Sequence, residues 1–187
     1  MDHHADMDLR PDPETAPHQV MGALFTKLHR ALAEQASGRI GVSFPGADNT
    51  FSSLGTRLRL HGSLIDLQML LGGNWLDSLL DHVTLQPPAP VPTETQHRVV
   101  RRIQTKSSPA RLRRRLMRRH GLDEAAALVR LPNVAAEFTR LPFVQLRSAS
   151  TGQTFRLFIE HGPVLDEPTI GGFSAYGLSH VATVPWF

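Results

Sequence analysis

HRVVRRIQTKSSPARLRRRLMRRHG, residues His97 to Gly121, changes character halfway along its length and carries ten Lys or Arg with no Asp or Glu. His97 to Thr105 is rich in β-branched and apolar residues, the composition of a strand. The remainder is a helix pattern: Ser108 is a good N-cap, Pro109 suits the first helical position, and Gly121 supplies the stop. On a helical wheel Arg111, Arg114, Arg115 and Arg118 fall within about one third of the circumference, with Arg119 at its edge. Leu112 and Leu116 form a separate, narrow anchoring stripe. Like charges crowded on one face destabilise a helix, so this face predicts a partner of dense negative charge. Guanidinium forks match phosphate oxygens, and nucleic acid is the expected partner. A solvated basic helix is the alternative reading.

Upstream, the pattern alternates between sheet and helix. Asp2 to Leu9 ends with Met7 and Leu9 on one face, a strand. Pro17 to Gln35 places Val20, Met21, Leu24, Phe25, Leu28 and Leu32 at helical spacing, with Gly38 as the expected stop. Arg39 to Phe44 and Thr56 to Leu60 alternate as strands, Ser63 can cap a helix through Leu71, and His82 to Gln86 is a last short strand. Strand, helix, strand, strand, helix, strand is the ferredoxin-like βαββαβ order. Downstream of Gly121 a second helix is expected near Asp123 to Arg130, and two strands over Phe143 to Arg147 and Gln153 to Glu160, joined by SASTG. GGFSAYGLS and VATVPWF suggest one or two more strands. The fold expected is therefore α+β: an N-terminal ferredoxin-like domain (1–86), a stiff Pro-rich linker (87–96) containing PPAPVP, and a C-terminal α+β domain (97–187). That last domain would hold the arginine-rich helix and a small antiparallel sheet.

The totals narrow the function. A net charge of +3 hides an asymmetry: residues 1–94 carry six Lys/Arg against eleven Asp/Glu, and residues 95–187 carry fourteen against six. One half is built to meet a polyanion. The chain has no cysteine, which removes disulfides and thiolate chemistry and fits a reducing cytoplasm. No apolar run approaches a membrane span, and the acidic N-terminus does not resemble a signal peptide, so neither membrane nor export is expected. Ten histidines are scattered without the paired spacing of a zinc helix, and no Gly-Lys-Ser/Thr phosphate loop is present. No metal and no cofactor is expected.

A few side chains stand out for chemistry, each with an ordinary structural alternative. His29 lies one i+4 step beyond Phe25, at the flank of an apolar stripe, where an imidazole can look out of the surface and accept a proton at neutral pH. The alternative is a partly buried histidine with a backbone partner. Ser148, Ser150 and Thr151 crowd a hairpin loop where hydroxyls can reach phosphate or ribose, or can simply serve the turn. Tyr176 is the only tyrosine and sits in GGFSAYGLS, where glycines permit close backbone approach. Phe155 begins a strand beside the serine-rich loop and is a core ring or a base-stacking one. Arg102 and Gln104, two apart on a strand, project to one side, where such a pair can fork onto guanine and adenine.

Taken together, IQTKSSPARLRRRLMRRHGL, LPFVQLRSASTGQTFRLFI, GGFSAYGLS, VPWF, GALFTKLHRAL and RIGVSFP give a chain that resembles, over essentially its full length, the CRISPR-associated endoribonucleases of the I-F subtype. The resemblance implies binding of a CRISPR repeat RNA stem-loop through the second half and metal-independent cleavage at the 3′ base of the stem, yielding guide RNAs for antiviral defence. It implies that His29 is the general base, that Ser148 holds the attacking ribose 2′-hydroxyl, and that Tyr176 orients the histidine or the site. Arg102 and Gln104 would read the lowest base pairs, and Phe155 would stack on the terminal pair. Arg114, Arg115, Arg118, Arg119 and His120 would lie along the stem's major groove. The cut guide RNA would stay bound within a multi-subunit surveillance complex. Two other classes remain open: a non-catalytic RNA-hairpin-binding subunit, and a DNA-binding regulator.

Overall fold

The computed structural model describes residues 1–104, 109–130, 141–147 and 152–187, with the backbone alone for 109–112. Alternation near the N-terminus forms β1 (His3–Leu9), which buries Ala5, Met7 and Leu9. The amphipathic segment forms α1 (Pro17–Gln35), with Pro at its start. Gly38 was the expected stop, but the helix ends at Ala36 in the left-handed conformation (φ 50°), whose N–H bonds Leu32 O. A left-handed alanine costs about 1–2 kcal/mol, and the bond to a terminal carbonyl offsets part of that.

Next come β2 (Gly41–Ser43), β3 (Arg57–Gly62), α2 (Leu64–Leu71), a 3-10 turn (Asn74–Leu79) and β4 (Val83–Leu85). Ser63 caps α2 as its sequence position suggests, accepting from Asp66 N–H at 3.1 Å. The 3-10 turn had no sequence signal beyond its two apolar anchors, Leu76 and Leu79. Strand order is β2-β3-β1-β4, and every pairing is antiparallel, which is the ferredoxin-like arrangement. PPAPVP, read as a linker, instead lies along β1. Ala89–Pro90 forms β5 beside His3 and His4, and Val91 N–H donates to Asp2 O at 2.9 Å.

A second antiparallel sheet is built from β6 (Gln96–Ile103), β7 (Phe143–Arg147), β8 (Thr154–Leu165) and β9 (Thr183–Trp186), in the order β7-β8-β6-β9. β8 runs five residues beyond the expected Glu160 because His161, Val164 and Leu165 continue its pairing with β6. GGFSAYGLS contributes no strand; it is turns and extended chain. The arginine-rich helix α3 (Pro109–His120) and α4 (Glu124–Arg130) lie where the sequence places them. Among the described residues, no helix is long and apolar enough to cross a membrane.

The chain divides into two compact units, Met1–Ile103 with Leu141–Phe187, and Gln104–Arg140. The boundary therefore falls at both ends of the helical insertion, away from the Pro-rich stretch. Within the larger unit the two sheets share a core. Val100, Val144, Leu146, Leu157, Ile159 and Val184 cluster with Leu24, Phe25, Leu28, Val42, Phe44, Leu58 and Leu60. Buried Arg59 forks onto Asp6 (2.6 and 2.9 Å) and also donates to Phe187 O (2.9 Å). In the smaller unit Ala127 is buried and Leu116 and Met117 are half-buried.

His161, on β8, accepts from Phe44 N–H at 3.3 Å through Nε2. Burial, with Arg98 nearby, lowers its pKa to about 4. Burial also holds fully enclosed His61 well below the usual histidine range, with help from Arg59 and His4. Below the ordinary histidine pKa of about 6.5 the unfolded chain therefore takes up protons that the folded chain refuses. The contribution of these two rings to stability is complete above about pH 6.5 and, for His161, is lost as pH drops towards about 4. Urea unfolding is expected to show this loss, and His161→Gln, which does not titrate there, to flatten part of it.

Candidate active site

The site is assembled by the amphipathic geometry of α1. Phe25 points into the core, and one turn later His29 emerges half-buried at the edge of the same stripe. The segment that meets it is the loop from Gly171 to Ser179. Gly177 N–H donates to Ser174 O at 2.8 Å, and Gly177 O accepts from Val42 N–H of β2 at 2.8 Å, so the turn is stapled to the first sheet. Gly177 sits at φ +69°, and a Cβ there would lie 2.2 Å from Val42 Cγ2. Only glycine fits.

That turn brings two groups onto His29. The Tyr176 ring stacks on the imidazole with centroids 3.9 Å apart and planes 6° from parallel. Ala175 O lies 2.8 Å from His29 Nδ1. A carbonyl can only accept, so Nδ1 carries the proton and the neutral ring keeps its lone pair on Nε2. The Tyr176 ring is in turn nearly parallel to Phe25, at 6.1 Å and 12°. The imidazole is thereby fixed in both plane and tautomer.

Around this pair is an open cleft of about 240 Å³, lined by His29, Arg30, Leu146, Arg147, Phe155 and Tyr176 among others. Phe155 and Leu146 are cross-strand partners of β8 and β7. Arg102 reaches the site from β6, its guanidinium carbon 5.9 Å from the Tyr176 centroid. Its Nε is buried with no hydrogen-bond partner among the described residues. Histidine, tyrosine, phenylalanine and arginines thus converge on one concave surface. This set can accept a proton, stack a base and hold a phosphate.

The sequence-predicted residues fall into three groups. His29, Tyr176, Phe155 and Arg102 are brought together. Ser148, Ser150 and Thr151 lie outside the described residues, as does the side chain of Arg111. Arg147, immediately before them, donates from Nε to Gly152 O at 3.0 Å. Gln104 is exposed. On α3, Arg114, Arg115, Arg118, Arg119 and His120 are exposed, and the last three occupy the final turn, where the helix dipole favours positive charge. No sequence pattern could have named Ala175, because its contribution is a backbone carbonyl. Arg30 and Arg147 escaped notice because neither belongs to a charge run. Among the described residues, no group of three or more His, Asp or Glu is placed to hold a metal ion.

Comparison with known proteins adds a third kind of observation. Residues 4–187 match the family described as CRISPR-associated protein (Cas_Csy4). The chain is 56% identical over 187 residues, all of both chains, to the CRISPR-associated endonuclease Cas6/Csy4 of Pseudomonas aeruginosa (strain UCBPP-PA14). It is 46% identical, again over the whole of both chains, to the CRISPR-associated endonuclease Cas6/Csy4 of Escherichia coli (strain UTI89 / UPEC). The resemblance seen in the sequence motifs is borne out.

The clamp on His29 depends on the Gly177 turn. Gly177→Ala is expected to cost about 1–3 kcal/mol through overpacking against Val42, measured as a lower Tm. It is also expected to remove the ring-current shift that Tyr176 imposes on the His29 ring protons in an NMR spectrum.

Proposed function

The chain belongs to the CRISPR-associated Csy4 family, and from that premise we propose that it is an endoribonuclease that binds the CRISPR repeat stem-loop and cuts at the 3′ base of the stem. RNA supplies its own nucleophile, so the protein must align three atoms and move a proton. His29 Nε2 takes the proton from the ribose 2′-hydroxyl. The 2′-oxygen attacks the adjacent phosphorus, the bond to the 5′-oxygen breaks, and that oxygen takes a proton from solvent. Products are a 2′,3′-cyclic phosphate and a 5′-hydroxyl. No step in this sequence requires a metal ion.

The observation that carries this reading is the fixed imidazole: Nδ1 committed to Ala175 O and the ring held flat against Tyr176. A base whose tautomer and plane are set before substrate arrives loses little entropy in reaching the reactive geometry. In this scheme Tyr176 positions His29, Ser148 holds the 2′-hydroxyl, and Phe155 stacks on the terminal base pair. Arg102 and Gln104 read the lowest pairs, and the exposed α3 arginines grip phosphates. Phosphate contacts place the protein while base contacts specify the site. An A-form major groove is deep and narrow, and α3 enters near the end of a short stem, where the groove opens. Action is cytoplasmic, where the transcript is made, and the cut guide RNA stays bound as part of a multi-subunit surveillance complex.

The test is single-turnover cleavage of the repeat hairpin in EDTA with both ends of the products mapped. Wild type is expected to leave a cyclic phosphate and a 5′-hydroxyl. His29→Ala is expected to lower the rate by about 10²- to 10⁴-fold, the usual worth of a general base, with hairpin affinity retained. An intact hairpin that stays bound to wild type in EDTA would favour a purely structural RNA-binding role.

A further inference from the structure

A second cleft, of about 590 Å³, opens beside the first turns of α1 and is larger than the one at His29. We propose that it binds the single-stranded RNA immediately 3′ of the scissile phosphate; the proposal rests on the cleavage reading above.

The walls of the cleft have the chemistry of a single-strand site. Phe51 is 80% exposed although it lines the cleft. The loop that holds it is tightly built. Asp48 and Ser53 exchange both backbone hydrogen bonds (2.8 and 3.0 Å), and Thr50 N–H donates to Asp48 Oδ1 at 2.6 Å. Gly55, at φ +74°, packs so closely on Gly46 that a Cβ would lie 2.4 Å from its carbonyl oxygen. An aromatic ring presented by a rigid loop is a stacking platform that orders nothing further on binding. Also lining the cleft, the Arg156 guanidinium lies 4.5 Å from the centre of the Phe143 ring, a flat cationic surface. His18 and Gln145 supply polar groups, and among the described residues no Asp or Glu lines the cleft. The first turn of α1 also carries no acidic residue. Aromatic faces with positive charge and no carboxylate suit an unpaired polyanion with exposed bases.

Position singles out which strand. Met21 lines this cleft and His29 the other, eight residues apart on one helix, or about 12 Å at the α-helical rise. On the second sheet, Gln145 and Arg156 line this cleft, while their immediate neighbours Leu146 and Phe155 line the catalytic one. The two clefts therefore follow one another along α1. In the proposed reaction the strand running past His29 is the 3′ strand of the stem, and its continuation beyond the departing 5′-oxygen is unpaired. That continuation is the segment that reaches Phe51.

The experiment compares repeat hairpins bearing one or five nucleotides 3′ of the cut, with a fixed 5′ end, in single-turnover cleavage. For wild type, the longer flank is expected to lower the half-saturating protein concentration by at least about fivefold, the lower end of what one stacked base contributes. For Phe51→Ala, an exposed substitution that leaves the core intact, both substrates are expected to give the same half-saturating value. Equal values for wild type, a gain that Phe51→Ala retains, or a gain produced only by extending the 5′ end would each overturn the proposal. Cleavage of the one-nucleotide substrate reports separately on the parent reading: if neither substrate is cut, the cleavage mechanism fails, not the flank site alone.

Discussion

Everything at the candidate site depends on how one imidazole is held. His29 and Ala175 are 146 residues apart in the chain, yet a 2.8 Å hydrogen bond joins them and the next residue's ring covers the histidine. Neither constraint would suffice alone. The carbonyl selects the tautomer but leaves the ring free to rotate about the bond, whereas the stack fixes the plane but is indifferent to which nitrogen holds the proton. Together they leave one nitrogen, in one orientation, as acceptor.

The architecture explains why such a clamp can be rigid. α1 crosses between the ferredoxin-like sheet and the second sheet, and residues from both close over it in a single core. The loop carrying Tyr176 is then anchored through Gly177 to β2 of the first sheet and through Ser179 N–H to Val100 O of the second (3.0 Å). A histidine on a helix, a turn and two sheets thus meet within one compact unit. The arginine-rich helix belongs to the other unit. Fixed geometry falls in one unit, and the arginine-rich helix falls in the other. This division suits a protein that must seize a polyanion over a wide area yet hold one proton acceptor still.

Much of the fold could be read from the chain because hydrophobic periodicity is local. α1, α2, α3 and β7 begin and end within a residue of where spacing and capping residues place them. What was not legible involved long-range partners. PPAPVP has the composition of a linker, but its backbone finds partners on β1, a fact no proline count contains. Ala36, in the left-handed conformation with its N–H on Leu32 O, takes the helix-ending role expected of Gly38. At the site, His29 and Tyr176 were identifiable as side chains, and the roles expected of them came from the family resemblance. The Ala175 carbonyl was invisible because every residue has one. Arg30 and Arg147 gain their place only from the cleft that the fold creates.

The central claim is that the imidazole acts on the RNA's own 2′-oxygen. It is tested most directly with a repeat hairpin in which only the nucleotide 5′ of the scissile phosphate lacks its 2′-hydroxyl. The account predicts that this RNA binds as well as the unmodified hairpin and is not cut, because the attacking atom is gone while every phosphate and base contact remains. Cleavage of the same bond in that RNA would contradict it, since the nucleophile would then have to come from elsewhere.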